Sequence, residues 1–599
     1  MGGRRTIRGK MGVVFRRLLL FLFLVANGVP ARGGWIRVPV GGADVTAIAI
    51  DPFLADSVFC GTSRGNVYRS GDGGRTWKAT RPGNQFPGYV VSTLKADVRT
   101  PGRLWAALSG TGRGALIAVS DDGGAGWTVL ARWDRSVDAR AFAQSPVDPR
   151  MIACGGDDGV FLSRDGGHSW NPTGEGVSGL SLVQSLAFDP ADAGTLYAGT
   201  YRQAFRTRDG GATWSRIANG MVLDATVYSF DFDPHDSSRV WVSTCGWVYR
   251  SDDGGDRWSR FTAGFTNRRT PVVHLDPKAP DVLYAGTVGG LHRSDDGGRS
   301  WRRISRETLD VSALEVDPRS GRLYLGTLGE GMFYSDDRGA TVVPASDGLD
   351  EARVPAIASD PGQPARVLFL RAYGGVESGV WETVGGETRQ ISGDSPPGAF
   401  ALAAAVIGGS PVWMTASAST LLVSEDGARH FAAAARPPDG RILKLFGAPL
   451  PSPIAVTDRG AFSSADGSSW RRIDSVTGSP VDAELLTDAT GRPELEIRTA
   501  AATFRGSTLF EMSRRPLLSG GIYRRYDVDA AAHPLFRYAV HESRLTIHRG
   551  AESASLELPR GELQVSDAVI AGDGSLYLST MGDGVFRYTP DNEHASGGS

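Results

Sequence analysis

The chain is 599 residues long, 79 of them glycine, with 41% hydrophobic and 22% charged residues. That composition excludes a disordered chain, and the length supplies several cores rather than one. A net charge of −2 gives no electrostatic ground for nucleic acid or an anionic membrane as partner.

Arg4, Arg5, Arg8, Lys10, Arg16 and Arg17 precede an apolar run at 18–26, and Val29-Pro30-Ala31 then offers small residues for a cleavage site. Residues 1–31 read as a secretory signal peptide. The apolar run is far below the roughly 20 residues a spanning helix needs. The expected address is exported, periplasmic or extracellular, with no stable membrane span after cleavage. Cys60, Cys154 and Cys245 lie in the first, third and fifth repeats described next. Bridging needs Cα atoms within about 7 Å, so all three are expected to be buried free thiols.

From there the chain repeats. A box of the form S-x-D-x-G-x-x-W reads Ser70-Gly71-Asp72-Gly73-Gly74-Arg75-Thr76-Trp77 and returns at Asp122/Trp127, Asp165/Trp170, Asp209/Trp214, Asp253/Trp258 and Asp296/Trp301. Weaker copies follow at Asp337, Asp426 and Asp466/Trp470. A period of about 43 residues is the mark of a repeat architecture. One clean copy runs Val272 to Asp276-Pro277, Val282 to Thr287, Gly290 to Ser294 and Trp301 to Ile304. These are four β-rich runs separated by turn signals, hence a four-stranded antiparallel meander. Asp-Pro suits the first turn, and the box is the turn between the third and fourth strands. Its Asp is expected to accept backbone N–H groups two residues on. The glycines take up positive φ, and the Trp is an apolar plug against the meander. The box is therefore structural. A Ca²⁺-loop reading fails because no acidic residue stands at the twelfth position.

Four strands cannot bury both faces alone, and radial packing of such copies gives a β-propeller. The box resembles the Asp-box, or bacterial neuraminidase, repeat. That repeat is found in sialidases, twin-propeller xyloglucanase-type endoglucanases, sortilin-type receptor domains and photosystem II stability/assembly factors. The resemblance covers residues 35–590 and implies the fold; those families share the box and not the chemistry. Seven repeats occupy the chain from Val45 to Pro344. Trp381, Asp426 and Trp470 mark three more, 482–559 holds two degenerate ones, and 563–588 has three strands without a fourth. The mature N-terminus, Gly33-Gly34-Trp35-Ile36-Arg37-Val38, looks like the end of a box and a fourth strand. The expectation is an all-β fold of about 13 four-stranded blades, more than one ring of 4–8 holds. Two propellers of six to seven blades each follow, at 32–345 and 346–590, the last blade completed by residues 35–38. Residues 591–599 form a disordered tail. A single large ring of sortilin type is the alternative.

Function in a propeller sits on the loops of one face and around the central channel. The most varied loop here follows G-T, between the second and third strands, and carries Arg64, Arg113, Arg202 and Trp247 as candidate binding residues. Variation on a constant scaffold points to a shaped surface, and Arg and Trp are enriched in binding hot spots. A glycosidase needs two carboxyls roughly 5 or 6.5–9.5 Å apart. The endoglucanase resemblance implies a catalytic Asp directly after the second strand of an early blade, where this chain has Ser63. Asp157, Asp158 and Glu330 remain the weak catalytic candidates. Trp35-Ile36-Arg37-Val38-Pro39 only superficially matches the F/Y-R-I-P element that the sialidase resemblance implies. Nine scattered histidines form no metal motif, and no cofactor is expected. The reading is an exported, non-enzymatic binding or assembly platform for a protein or polymer. A secreted xyloglucanase- or sialidase-like glycoside hydrolase is the alternative.

Overall fold

In a computed structural model the described residues run from 33 to 590 with interior gaps, the longest at 516–531. Residues 1–31 and 591–599, assigned above to a signal peptide and a tail, lie outside them. The described chain is all-β: thirteen four-stranded antiparallel sheets, each a blade. Two compact units contain them. One is residues 41–349; the other is residues 350–599 with the segment ending at Val40. They are called here the first and second propeller.

The first propeller holds seven blades. Its opening blade is Val45–Ile50, Val58–Thr62, Val67–Ser70 and Lys78–Ala79, paired in that order. The second strand is buried along its whole length, which explains its unbroken apolar character. Hydroxyls on the innermost strands bond to carbonyls of the next blade. Thr46 donates to Val91 O at 2.7 Å, Ser185 to Val227 O at 2.9 Å, and Ser312 to Val45 O at 2.5 Å. That last bond joins the seventh blade to the first, so this ring closes on itself. The Gly of the G-T motif is required by close approach. A Cβ at Gly61 would lie 2.4 Å from Val91 Cγ1, and one at Gly326 would lie 2.6 Å from Val45 Cγ1. Only glycine admits the neighbouring inner strand so near.

The boxes differ in detail from the sequence expectation. Asp72 Oδ1 accepts N–H groups three and four residues on, from Arg75 and Thr76, both at 3.0 Å, whereas Asp466 does accept one two residues on, from Ser468 at 2.9 Å. Gly73 and Gly74 at φ 71° and 82° coil the chain back and bring the later N–H groups under the carboxylate. Ser70 completes the turn, donating to Asp72 at 2.7 Å and accepting from Gly74 N at 2.8 Å. These bonds hold the ionised form, so Asp209 sits at about 2, chiefly through the Thr213 hydroxyl.

The box tryptophans also depart from the uniform apolar plug, in two ways. Several are joints between blades. Trp258 Nε1 donates to Ile217 O at 2.7 Å and its backbone N to Asn219 O at 2.9 Å, both in the preceding blade. Trp77 does the same to Ala345 and Asp347. Trp214 is buried and reaches back through its indole, Nε1 donating to Thr173 Oγ1 at 3.2 Å. Trp127 and Trp170, by contrast, are only half-buried, though both pack against the hydrophobic core as expected. Their Nε1 groups turn inward on their own boxes, donating to Gly124 O at 3.0 Å and Gly167 O at 2.9 Å. Their rings meet Phe86 and Trp133 edge-on at 5.5 and 5.7 Å. The reason lies in the preceding blade. The carbonyls that receive Trp258 and Trp77 lead into Asn219-Gly220 and Asp347-Gly348, and the stretches after the outer strands of blades one and two hold no such pair.

The second propeller holds six blades. The last is Val565–Ile570, Leu576–Thr580 and Val585–Pro590, and Gly33–Val38 is its fourth strand. Trp35 opposes Tyr588 and Val38 opposes Val585, antiparallel. Trp35 Nε1 donates to Glu557 O at 2.7 Å, and the Arg37 guanidinium lies 5.4 Å over the Phe586 ring. Cys60 and Cys154 are buried and in no disulfide, and burial pushes the Cys154 thiol up to about 12. Cys245 departs from expectation: it is exposed, because it falls three residues later than the others, past the strand and on the turn.

Candidate functional site

Within each blade of the first propeller the meander sends its Asp-Pro turn and its box to one end of the sheet. The turn between the second and third strands leaves at the other end, beside the connection from the preceding blade. Bonds between each turn and the connection entering its own blade fix the neighbourhood: Ser63 N donates to Asp44 O at 3.0 Å, and Leu328 N to Asp310 O at 3.0 Å.

Arg64, Arg113, Arg202 and Trp247 all occupy this end, on blades one, two, four and five. Arg113 and Arg202 are exposed; Arg64 and Trp247 are half-buried. Tyr89 Oη reaches Arg113 O at 3.5 Å. Arg202 is 4.0 Å from Asp224, with both side chains largely exposed. Trp247 packs edge-on to Tyr249 at 6.5 Å, and the Arg260 guanidinium lies 5.3 Å over its indole.

The three candidate acids do not converge. Asp157 is held by Arg140 at 3.1 Å and Asp158 is exposed beside it, both on blade three. Glu330 is buried on blade seven. Among the described residues no group of His, Cys, Asp or Glu is arranged to hold a metal ion, and no helix is long and apolar enough to cross a membrane.

Two features escaped the sequence reading. One is a pair of exposed aliphatic side chains in the connections at the turn end, Leu182 and Val222. The other lies in the central channel, two residues before the Asp of each Asp-Pro turn or its counterpart. There Ala49, Lys95, Ala143, Ala187, Asp231, His274 and Glu315 occupy equivalent places on the seven blades. Lys95 bonds Glu315 at 2.8 Å, and His274 lies 3.1 Å from Asp231 and 3.8 Å from Glu315. Burial works against a charged His274, yet Asp231 and then Glu315 outweigh it and raise it to about 9. Counting two positions back from each Asp-Pro turn would have found Asp231, His274 and Glu315, but not Lys95, whose blade has Asp97-Val98 at that turn.

A protein-family model described as photosynthesis system II assembly factor YCF48 matches residues 176–436. No curated protein matches. Among solved structures, a GH74 xyloglucanase from Xanthomonas campestris is 16% identical at a TM-score of 0.68, covering 94% of this chain and 100% of that one. A GH74 enzyme from Niastella koreensis is 18% identical at 0.65, covering 93% and 99%. PorZ, a surface component of the type-IX secretion system of Porphyromonas gingivalis, is 11% identical at 0.51, covering 92% and 80%. Identities this low speak for the fold alone, and with the thirteen four-stranded sheets they make the chain a β-propeller protein.

Proposed function

We propose that this protein is an exported, non-enzymatic binding platform that takes a protein or polymer at the turn end of its first propeller. The observation that carries the reading is the contrast between the two ends. At one end the same Ser–Asp–Gly hydrogen bonds recur blade after blade. At the other the turns carry unlike side chains, including Arg64, Arg113, Arg202 and Trp247. A rigid scaffold with varied loops is how proteins commonly present a binding surface. The assembly-factor match and the likeness to a bacterial surface component support the reading, as does the signal-like leader.

The full-length likeness to GH74 enzymes favours glycoside hydrolysis as the second reading. Against it, Ser63 stands in the place the resemblance assigns to an acid, and Asp157 and Glu330 occupy blades three and seven. One experiment separates the two. Wild type and an R64E/R113E/R202E variant are used to capture partners from the host's envelope fraction, and wild type is incubated with xyloglucan. The platform predicts a partner retained by wild type and lost by the folded variant, with no new reducing ends. Release of reducing ends that disappears in Asp157→Asn or Glu330→Gln would establish the hydrolase.

A further inference from the structure

Leu182 is the anomaly at the turn end. It is a bulky apolar residue with φ 52° and 40% of its surface exposed, a conformation that disfavours any Cβ and a branched side chain most. Its backbone is clamped on both sides. Its N–H donates to Asp157 O at 3.1 Å in the turn of blade three, and its carbonyl accepts Tyr201 N at 3.0 Å in the turn of blade four. The clamp holds the strained residue and pushes its side chain outward. Strain of this kind concentrates at functional sites.

The turn end beside Leu182 mixes apolar side chains with charges of both signs, the exposed Asp158 and Asp224 among them. Tyr201 is 56% exposed and Val222 40%. Thr226 Oγ1 holds Tyr201 O at 2.8 Å, and Val222 N is tied to Tyr249 Oη at 3.2 Å, so both are presented by fixed backbone. Cations flank them. Arg202 has only a loose partner in Asp224 at 4.0 Å, and Arg260 lies flat over Trp247. A guanidinium stacked on an indole keeps its donor edge free and already oriented, suited to a carboxylate.

We infer that this arc of blades four and five docks a protein segment in which apolar side chains stand next to an acidic one. The inference rests on the platform reading and names its partner's chemistry. Charge complementarity places the acid at Arg260, which no salt bridge engages among the described residues, while Arg202 already faces the exposed Asp224 and Asp158 is exposed on the turn that clamps Leu182. The aliphatic tips of Leu182 and Val222 decide for protein over polysaccharide. Sugar hydroxyls gain nothing from branched alkyl groups, whereas leucine-like side chains bury against them.

The test is selection of a displayed random-peptide library on the full chain, followed by affinities of the selected peptides for four variants. Enriched sequences are expected to pair Asp or Glu with Leu, Ile, Val or Phe. Tyr201→Ala should weaken them about 30-fold and Arg260→Glu at least about 10-fold. Leu182→Gly is the discriminating variant, since glycine accepts the positive φ. It should lose binding while keeping a thermal midpoint within about 3 °C of wild type. An Arg299→Glu variant, in the blade-six box at the opposite end, should bind the same peptides unchanged. No enrichment, basic enriched sequences, or peptides indifferent to Leu182→Gly and Arg260→Glu would overturn the inference. If xyloglucan or another glycan instead binds and is lost with these substitutions, the platform stands and the protein partner falls. If the partner captured from the host survives every turn-end substitution, the platform reading itself fails.

Discussion

The two propellers solve the same joint with different chemistry. In the first, a side chain of one blade donates to a glycine carbonyl in the next blade's box. Tyr197 does so to Gly254 at 2.9 Å, Trp241 to Gly297 at 3.2 Å and Arg322 to Gly73 at 2.6 Å. In the second, the equivalent contact is Arg366 to Gly427 O at 2.8 Å, and it belongs to a buried ion cluster. Arg366 also bonds Glu382 at 2.6 Å and Asp360 at 2.8 Å, and Glu382 bonds Arg389 at 2.6 Å. The box there has decayed too: Ala428, at φ 70°, stands where glycine is usual. Where many like joints share the load, no single one is critical. Where boxes are few, stability is concentrated in particular residues.

The largest effect should come from the strand that the second propeller takes from the far end of the chain. Deleting 33–40 removes the partner of 585–590 and the burial of Val38, leaving an open edge that invites aggregation. Loss of the second propeller's unfolding transition, with that of the first intact, is the expected calorimetric result. Equal damage to both transitions would deny the division of labour. Next is Arg366→Met, which leaves Asp360 buried without its cation and Glu382 with only the exposed Arg389, and should cost about 3–5 kcal/mol. Arg322→Met, whose partner Asp336 is exposed, should cost under about 1.5 kcal/mol. Urea midpoints for the pair check this, and similar losses would erase the contrast.

Within the first propeller, Trp258→Ala should cost about 3–4 kcal/mol, because a nearly buried indole and its bond to the preceding blade go together. Asp253→Ala removes turn-closing acceptors only and should cost about 1–2 kcal/mol. Binding at the turn end should survive both in the folded fraction. A box variant with full thermal stability and no binding would make the box a functional site.

What the sequence made legible follows from what is local and repeated. Blade number and the role of residues 35–38 were readable because Trp35-Ile36-Arg37-Val38 has the pattern of Trp301 to Ile304. Following the turn after each G-T led to Arg202 and Trp247. Leu182 and Val222 were not readable, since an aliphatic residue in a connection ordinarily turns inward. Leu182 is exposed because hydrogen bonds to two turns fix its backbone. The box bonds were misplaced by one or two residues because spacing alone does not say which N–H coils back. Trp127 and Trp170 looked the same as Trp258 because the box is the same; what differs is the neighbouring blade that must receive the indole. The channel charges were hidden because each occurs once, in a strand that otherwise reads as core.

The smallest effect separates the two channels by pH. His274 is raised from 6.5 to about 9 by Asp231 and Glu315 against the pull of burial and of Lys95. A base raised on folding stabilises fully below its unfolded value, and that contribution is lost as pH climbs through 9. In the second propeller, burial raises Asp567 from 3.8 to about 6, with the Ala568 and Ile357 N–H groups and Lys444 opposing only in part. An acid raised on folding costs nothing below its unfolded value and imposes its full penalty above its folded one. That loss therefore falls between about pH 4 and 6. Each should be worth about 1–2 kcal/mol, reduced by channel water. His274→Gln should flatten the first propeller's stability between pH 6.5 and 9, and Asp567→Asn that of the second between 4 and 6. The rest of each profile should be untouched. If either substitution flattened the other's window, the two transitions would not belong to separate propellers, because the charges that set them lie on different units.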